Sequence, residues 1–520
     1  MKKNIKVYEK GKYVEKEITY IPLRYIVAVL LTILEIVLIM AIVFLCAIYI
    51  PYFYIALLIT EIVVVIGIIG SNENPDYKIP WLLFVIILPI VGFMLYFMFH
   101  KRKLPKRIIK RLEHCKHTLK FEDTNNFEIL STQDKLISSH AKELCSISDT
   151  HLYQNTKIKY YSLGEEMHED ILKELQKSEK FIFLEFFIIE EGKFWDSILN
   201  ILIEKAKQGV DVKVVYDDIG CMATLPGNYY KKLKKFNILS VPFSKLKGQA
   251  DGEFNNRSHR KILVIDGKVG FTGGVNIADE YINHRIVYGH WKDTAIKLEG
   301  SAVNELTKLF LTNYYLNIKD YENINFNQYF IDYKVENKSF VIPFGDGPNP
   351  IYEKQVGKTV IMNILNQAKD YVYITTPYLI IDNELMKTIE NTALRGVDVR
   401  IILPHIPDKK LVFEMTKSNY TILMKSNVKI YEYLPGFIHA KSYISDDKVG
   451  MIGTINLDYR SLTYHFENGV WMYNDKVILD MKKDFLDTCD KSLLMNNQKI
   501  KDNLFTRVIR SIVRIFSPLL

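Results

Sequence analysis

The chain has 520 residues, 25% of them charged and 48% hydrophobic, with a formal net charge of +8. That length is too great for one ordinary core, so two or three structural units are expected, and the modest positive charge points only weakly towards an anionic partner. The five cysteines (Cys46, Cys115, Cys145, Cys221 and Cys489) form no CxxC pair and show no metal-ligand spacing, so they read as unpaired thiols facing the cytoplasm.

The apolar excess gathers between Tyr25 and Phe99. Residues 26–50, 52–70 and 79–99 are each close to the roughly 20 apolar residues that cross a bilayer. A cleaved signal peptide would carry one shorter apolar run, so a membrane region of three spans is expected over 1–100. Glu35 and Glu61 fall inside the first two runs, where a carboxylate is expected to be protonated or paired. Lys101, Arg102, Lys103, Lys106, Arg107, Lys110 and Arg111 follow directly, within a basic juxtamembrane segment over 101–150. Positive residues beside a span favour the cytoplasmic side, which places the large domain there. The N-terminal tail is basic too, yet three spans would put the two basic segments on opposite sides. The stronger cluster decides the orientation.

From about residue 150, short β-branched runs alternate with amphipathic stretches, an α/β pattern. A strand over 181–189 and a helix over 195–208 lead to GVDVKVVYD at 209–217. The order recurs, with a strand over 371–374, a helix over 383–394 and GVDVRIILP at 396–404. Two duplicated α/β units are expected over 151–335 and 336–500. The stretch 340–350, with IPFGDGPNP, reads as a turn-rich boundary between them.

Each unit then carries one chemical motif. The first reads NNRSHRKILVIDGKVGFTGGVNIADEY, with His259, Lys261 and Asp266, and the second reads FIHAKSYISDDKVGMIGTINLDYRS, with His439, Lys441 and Asp446. Both are H-x-K-x4-D followed by glycine and an asparagine, Asn276 or Asn456. On a strand, residues i and i+2 share a face, so each histidine projects beside its lysine. Imidazole can attack phosphorus or move a proton near neutral pH, while lysine holds anionic oxygens. The aspartate lies seven residues after its histidine, on the opposite face, and Asp266-Gly267 is a hairpin dipeptide, so both aspartates are expected to shape turns. No H-E-x-x-H run or paired ligand spacing supports zinc, and no cofactor is expected.

The paired motifs resemble the phospholipase D superfamily. The apolar spans and the NNRSHRKIL, GGVNIADEY and HWKDTAIKLEG runs resemble bacterial cardiolipin synthases within it, over nearly the whole chain. The resemblance implies an α/β fold of two duplicated phospholipase D-like units around one metal-free active site, preceded by transmembrane helices. It counts His259, Lys261, Asp266, His439, Lys441 and Asp446 as catalytic, with His259 as nucleophile and His439 as acid. Asn276 and Asn456 would join the lysines on the phosphate. Asp293 would orient His439, and Glu467 would orient His259. Two positions depart from the pattern: Asp447 stands where the first motif has glycine, and Lys292 where an arginine is usual.

The expected activity is phosphatidyl transfer between two phosphatidylglycerol molecules, in a multi-pass protein of the cell membrane whose catalytic domain is cytoplasmic. The expected partners are the anionic lipid and the membrane, with no nucleic acid; homo-oligomers stay open. The alternatives are a membrane-bound phospholipase D using water or another alcohol, a nuclease of the same superfamily, and a scaffold with a degenerate site. Residues 501–520 form a basic amphipathic tail, with Arg507, Arg510 and Arg514 along one side, that either packs on the catalytic domain or lies on the leaflet.

Overall fold

The computed structural model describes residues 3–9, 12–18, 23–49, 51–100, 106–119, 126–245, 255–318, 325–496, 508, 510 and 513–519. The chain opens with an antiparallel hairpin, β1 (Lys3–Glu9) and β2 (Lys12–Ile18), which the basic composition of the tail does not announce. Helices α1 (Leu23–Tyr49) and α2 (Pro51–Gly70) follow. Among the described residues no helix is long and apolar enough to cross a membrane. These helices run 27 and 20 residues, and Leu30, Val37, Phe44, Ile55, Ile62 and Ile66 along them are exposed.

The third apolar stretch is not the single span expected over 79–99. It is two helices, α3 (Pro75–Ile87) of 13 residues and α4 (Pro89–Phe99) of 11. Leu88 precedes a proline, which disfavours helical backbone, and it leaves the helix at φ −130°, ψ 70°. The chain then doubles back, bringing the rings of Trp81 and Tyr96 to 5.7 Å. Along one straight helix those positions would stand about 22 Å apart. At the crossing, a Cβ on Gly92 would lie 2.1 Å from the Phe84 carbonyl oxygen, so only glycine admits this approach.

Helix α5 (Lys106–Thr118) packs on the first unit. Arg111, expected among the membrane-side charges, is instead buried and donates to the Leu316 carbonyl at 2.8 Å. That contact satisfies a carbonyl at the end of helix Val303–Asn317, where backbone acceptors lack intrahelical partners.

The first unit is a seven-stranded sheet built from β3 (Thr156–Tyr161), β4 (Phe181–Phe186), β5 (Asp211–Asp217), β6 (Leu239–Phe243), β7 (Lys261–Ile265), β8 (Val269–Gly273) and β11 (Ala295–Gly300). Its order is β3-β11-β8-β7-β4-β5-β6, with β4, β5 and β6 parallel. The short strands β9 (Arg285–Ile286) and β10 (His290–Lys292) lie outside it. The second sheet contains β12 (Phe340–Asp346), β13 (Tyr371–Thr375), β15 (Asp398–Pro404), β16 (Lys429–Tyr433), β18 (Ser442–Ser445), β19 (Val449–Gly453), β21 (Glu467–Tyr473) and β22 (Ser492–Leu494). Its order, β12-β21-β19-β18-β13-β15-β16-β22, repeats the first and adds β22 at one edge. Three short strands stand apart: β14 (Leu379–Ile380), β17 (Gly436–Ile438) and β20 (Leu457–Asp458).

The stretch read as a turn-rich boundary is strand β12 over its first seven residues, fully buried. Pro343 is tolerated because β12 is an edge strand, where a missing N–H breaks no ladder. One hydrophobic cluster runs through both halves, joining Phe183, Ile262 and Phe310 to Ile444, Ile452 and Met472. The described part of the tail packs on the protein. Arg510 pairs with Glu414 at 2.7 Å, and Phe516 stacks against Phe84 of α3 at 5.2 Å.

Candidate active site

The two motifs occupy matching places, each histidine at the mouth of a central strand, β7 or β18. Both hairpin turns after those strands are left-handed, with φ 53° and 66° at Asp266 and Gly267 and 52° and 57° at Asp446 and Asp447. Positive φ at both central positions is the twist a two-residue hairpin needs. Asp447 takes this conformation without being glycine, held by Lys482 and by the Tyr371 hydroxyl at 2.8 Å each. The motif aspartates face away from the histidines. Asp266 accepts the N–H groups of Glu179, Lys180 and Phe181 at 2.7 to 2.9 Å, and Asp446 those of Lys369, Asp370 and Tyr371 at 2.8 to 3.0 Å.

Backbone bonds between the halves bring the motifs together. Strand β10 runs parallel to β17, and the His439 N–H donates to the Lys292 carbonyl at 2.7 Å. On the other side, the His259 N–H donates to the Phe466 carbonyl at 2.8 Å. Each histidine therefore lies on a carboxylate of the opposite half. His259 Nδ1 is 2.9 Å from Glu467 Oε2, and His439 Nδ1 is 2.7 Å from Asp293 Oδ2, with both carboxylates fully buried. Their other contacts fix them. Glu467 accepts from Ser461 Oγ at 2.6 Å and from Thr454 Oγ1, and Asp293 accepts the Thr294 N–H at 2.8 Å. Gly274 is forced here, because a Cβ would fall 2.0 Å from Asp293 Oδ1.

Lys261 and Lys441 are buried beside their histidines, donating to the carbonyls of His259 (2.9 Å) and His439. Burial lowers Lys261 to about 7, with Lys441 adding to the effect, and burial lowers Lys441 to about 8. Burial and the lysines hold His259 well below the usual imidazole range, and they bring His439 to about 4 against the pull of Asp293. Burial would raise Asp293, but His439 and Lys441 outweigh it and keep the carboxyl low. The site thus sets neutral histidines beside an anionic Asp293 and two ammonium groups that give up protons easily, a field suited to one phosphodiester anion.

The asparagines differ. Asn276 Oδ1 accepts the Ile188 N–H at 3.1 Å and its Nδ2 donates to the Tyr281 hydroxyl at 2.7 Å, contacts that fix the orientation of its amide. Asn456 is buried with an Oδ1 that has no hydrogen-bond partner among the described residues. Lys292 anchors on Asp484 at 2.7 Å, and so holds the strand that leads to Asp293.

Other residues of the site escape motif reading. Arg257 and Asp217 form a buried ion pair at 2.9 Å, and Asp217 also accepts the Ser258 N–H, fixing the backbone just before His259. Arg260 reaches across to the Glu467 carbonyl at 3.1 Å. Two residues before each orienting carboxylate stands a ring beside the opposite histidine. Trp291 lies 5.7 Å from His439 and His465 lies 5.7 Å from His259. Among the described residues, Trp291 Nε1 and His465 Nε2 are buried without a hydrogen-bond partner, while His465 Nδ1 stands 3.7 Å from Glu467 Oε1. The signal available for these was the duplicated offset from Asp293 and Glu467. Among the described residues, His259, His465 and Glu467 converge closely enough to hold a metal ion, but the neighbouring lysines oppose a further cation.

Comparison with known proteins bears on the same residues. The family model described as "Cardiolipin synthase, PLD-like domain" matches residues 171–295 and 361–488, one match per unit. A phospholipase D-nuclease N-terminal model matches 62–99. The cardiolipin synthase of Alkalihalophilus pseudofirmus is 32% identical over 480 residues, covering 88% of this chain and 92% of that protein. The chain belongs to the cardiolipin synthase family of the phospholipase D superfamily. An uncharacterized protein of Streptococcus mutans is 40% identical over 474 residues, covering 88% of this chain and 99% of that one. The crystal structure of phosphatidylserine synthase from Haemophilus influenzae superposes with a TM-score of 0.54 at 16% identity, covering 73% of this chain and 97% of its own, which shows the shared fold.

Proposed function

We propose that the protein transfers a phosphatidyl group from one phosphatidylglycerol to another, giving cardiolipin and glycerol. The observation that carries this reading is the exchange of carboxylates, which supplies one buried site with two oriented histidines and two lysines. His259 Nε2 attacks phosphorus, forming an N–P bond while the P–O bond to the departing glycerol breaks. His439 donates its proton to that oxygen. The headgroup hydroxyl of a second lipid then gives its proton to His439 and attacks phosphorus, and the N–P bond breaks. His439 must be cationic in the first step although burial favours its neutral form; a phosphodiester anion beside it raises its pKa, and Asp293 supports the same shift.

The points at which the helices are pinned support a particular membrane topology. Strand β1 pairs with β9 of the catalytic unit. At the start of α3, Asn74 Nδ2 donates to Asp382 at 2.9 Å, and Asp76 accepts the Asn383 N–H at 2.9 Å. With α5 also on the catalytic unit, both ends of each helical pair lie on one side. These anchors favour α1 and α2 as the crossing pair and α3–α4 as a re-entrant hairpin, since helices this short do not span. An even number of crossings removes the conflict between the two basic segments.

The deciding experiment supplies purified protein with phosphatidylglycerol alone and resolves the products by mass spectrometry. Cardiolipin with stoichiometric glycerol is expected. Phosphatidic acid would make water the acceptor, and no turnover would refute the transfer. For the topology, single cysteines placed at residues 50 and 88 should differ, with only residue 50 open to an impermeant thiol reagent from outside.

A further inference from the structure

Away from the catalytic histidines, a cavity of about 350 Å³ opens where α3, the second unit and the C-terminal tail meet. Its apolar lining includes Ile79, Met415 and Ile515, and its polar lining Ser418, Asn419, Tyr459 and Arg514. Asn419 is 4% exposed; its Nδ2 donates to the Leu379 carbonyl at 2.9 Å, while its Oδ1 has no hydrogen-bond partner among the described residues. A buried acceptor left open calls for a donor from a guest. Arg514 is exposed at the same cavity and offers a guanidinium suited to a phosphate. Ile79 of α3 and Ile515 of the C-terminal tail, 47% and 37% exposed, continue the apolar lining outward.

We infer that this cavity is a second phospholipid site, which holds a non-reacting anionic glycerophospholipid with a hydroxylated headgroup. Arg514 meets the phosphate, Asn419 Oδ1 accepts a headgroup hydroxyl, and the acyl chains run out over Ile79 and Ile515. The choice of headgroup rests on the phosphatidylglycerol reading above; the lipid class rests on the cavity itself. The site is wired to the catalytic one. Tyr459 lines the cavity and donates to Asp76 at 3.2 Å. It also opens the short helix Tyr459–Thr463, whose Ser461 hydroxyl holds Glu467, the carboxylate on His259. A lipid bound here can therefore brace the nucleophile's support and link membrane composition to turnover.

The test uses full-length His259→Ala protein, which cannot turn over, in phosphatidylcholine vesicles doped with phosphatidylglycerol carrying a diazirine near its glycerol backbone. After irradiation, label is expected on 410–425 and 513–519 as well as on the catalytic segments. Arg514→Gln should cut the label in the first two segments about fivefold, and Met415→Trp, which fills the cavity, should abolish it. Label at 255–282 and 436–456 should not change in either variant. Label absent from 410–425 and 513–519, or insensitive to both substitutions, overturns the site. Equal labelling by a phosphatidylcholine analogue overturns its headgroup choice. None of these results depends on turnover, so a failure of cardiolipin synthesis by the unmodified protein would be seen separately.

Discussion

Asp293→Asn isolates the charge that one half lends to the other. The carboxylate is fully buried, 2.7 Å from His439 Nδ1, and its other oxygen holds the Thr294 N–H at 2.8 Å. Asparagine has the same shape and keeps the Thr294 bond through its oxygen. That leaves its NH2 facing His439, which forces the imidazole proton to the wrong nitrogen and removes the anion that supports imidazolium. Unpairing a buried charge costs about 3–5 kcal/mol. Here the charge forms on His439 only as the proton is loaded for transfer, so the cost falls on the barrier. At ~1.4 kcal/mol per decade, the turnover number should fall roughly 10²- to 10³-fold with little change in melting temperature. Because Asp293 raises His439, the limb of the pH profile that belongs to His439 should also move to lower pH. Initial rates of cardiolipin formation between about pH 5 and 9, alongside thermal unfolding, provide the assay. A loss below about fivefold with an unmoved profile would falsify the cross-half pairing as a catalytic device.

Burial places Lys261 near 7 and Lys441 near 8, so both lose their charge as pH rises through that window. kcat/KM should therefore fall above neutrality more steeply than kcat, since bound phosphate restores both protons; parallel declines would count against the lysines as phosphate holders. His439→Ala should trap a phosphatidyl adduct on His259, detectable by mass spectrometry, whereas His259→Ala should form none; an adduct on His439 would reverse the roles. Asp217→Ala leaves the Arg257 guanidinium buried and unpaired, and should cost about 3–5 kcal/mol in denaturant unfolding; a change under about 1 kcal/mol would show the pair to be dispensable. Removing 508–520 strips the Arg510–Glu414 pair and the Phe516–Phe84 contact, so activity should drop alike in micelles and bilayers with a lower melting temperature; loss confined to bilayers would restore the leaflet-binding role.

The chemistry was legible because it is written twice. A single H-x-K-x4-D run is weak, but two at matching points of a repeat located His259 and His439 together, and the downstream carboxylates came with the family resemblance. Less visible were features set by tertiary context. Hydropathy cannot tell one span from a folded pair of short helices; the clue at Leu88-Pro89 is steric and local, and it needs the Gly92 approach to become a reversal. Pro343 looked like punctuation because edge position, which excuses it, is a property of the finished sheet. Arg111 read as a membrane-side charge, and Arg510 stayed open between packing and the leaflet, because a sequence shows the sign of a side chain but not the carbonyl or carboxylate waiting for it. Trp291 and His465 went unnoticed since they differ in kind, and only the shared offset from Asp293 and Glu467 marks them as counterparts.

That each histidine borrows its carboxylate from the other half has a consequence for descent. A protein with one such half could not have been a working enzyme alone; it needed a twin, and every change to its carboxylate struck both active histidines at once. Fusion of two copies into one chain freed the positions to drift apart. The result is visible here as aspartate against glutamate, and tryptophan against histidine, on the two sides of one site. Under the proposed mechanism, that asymmetry would let one histidine specialise in attack and the other in proton traffic, a division of labour closed to two identical subunits.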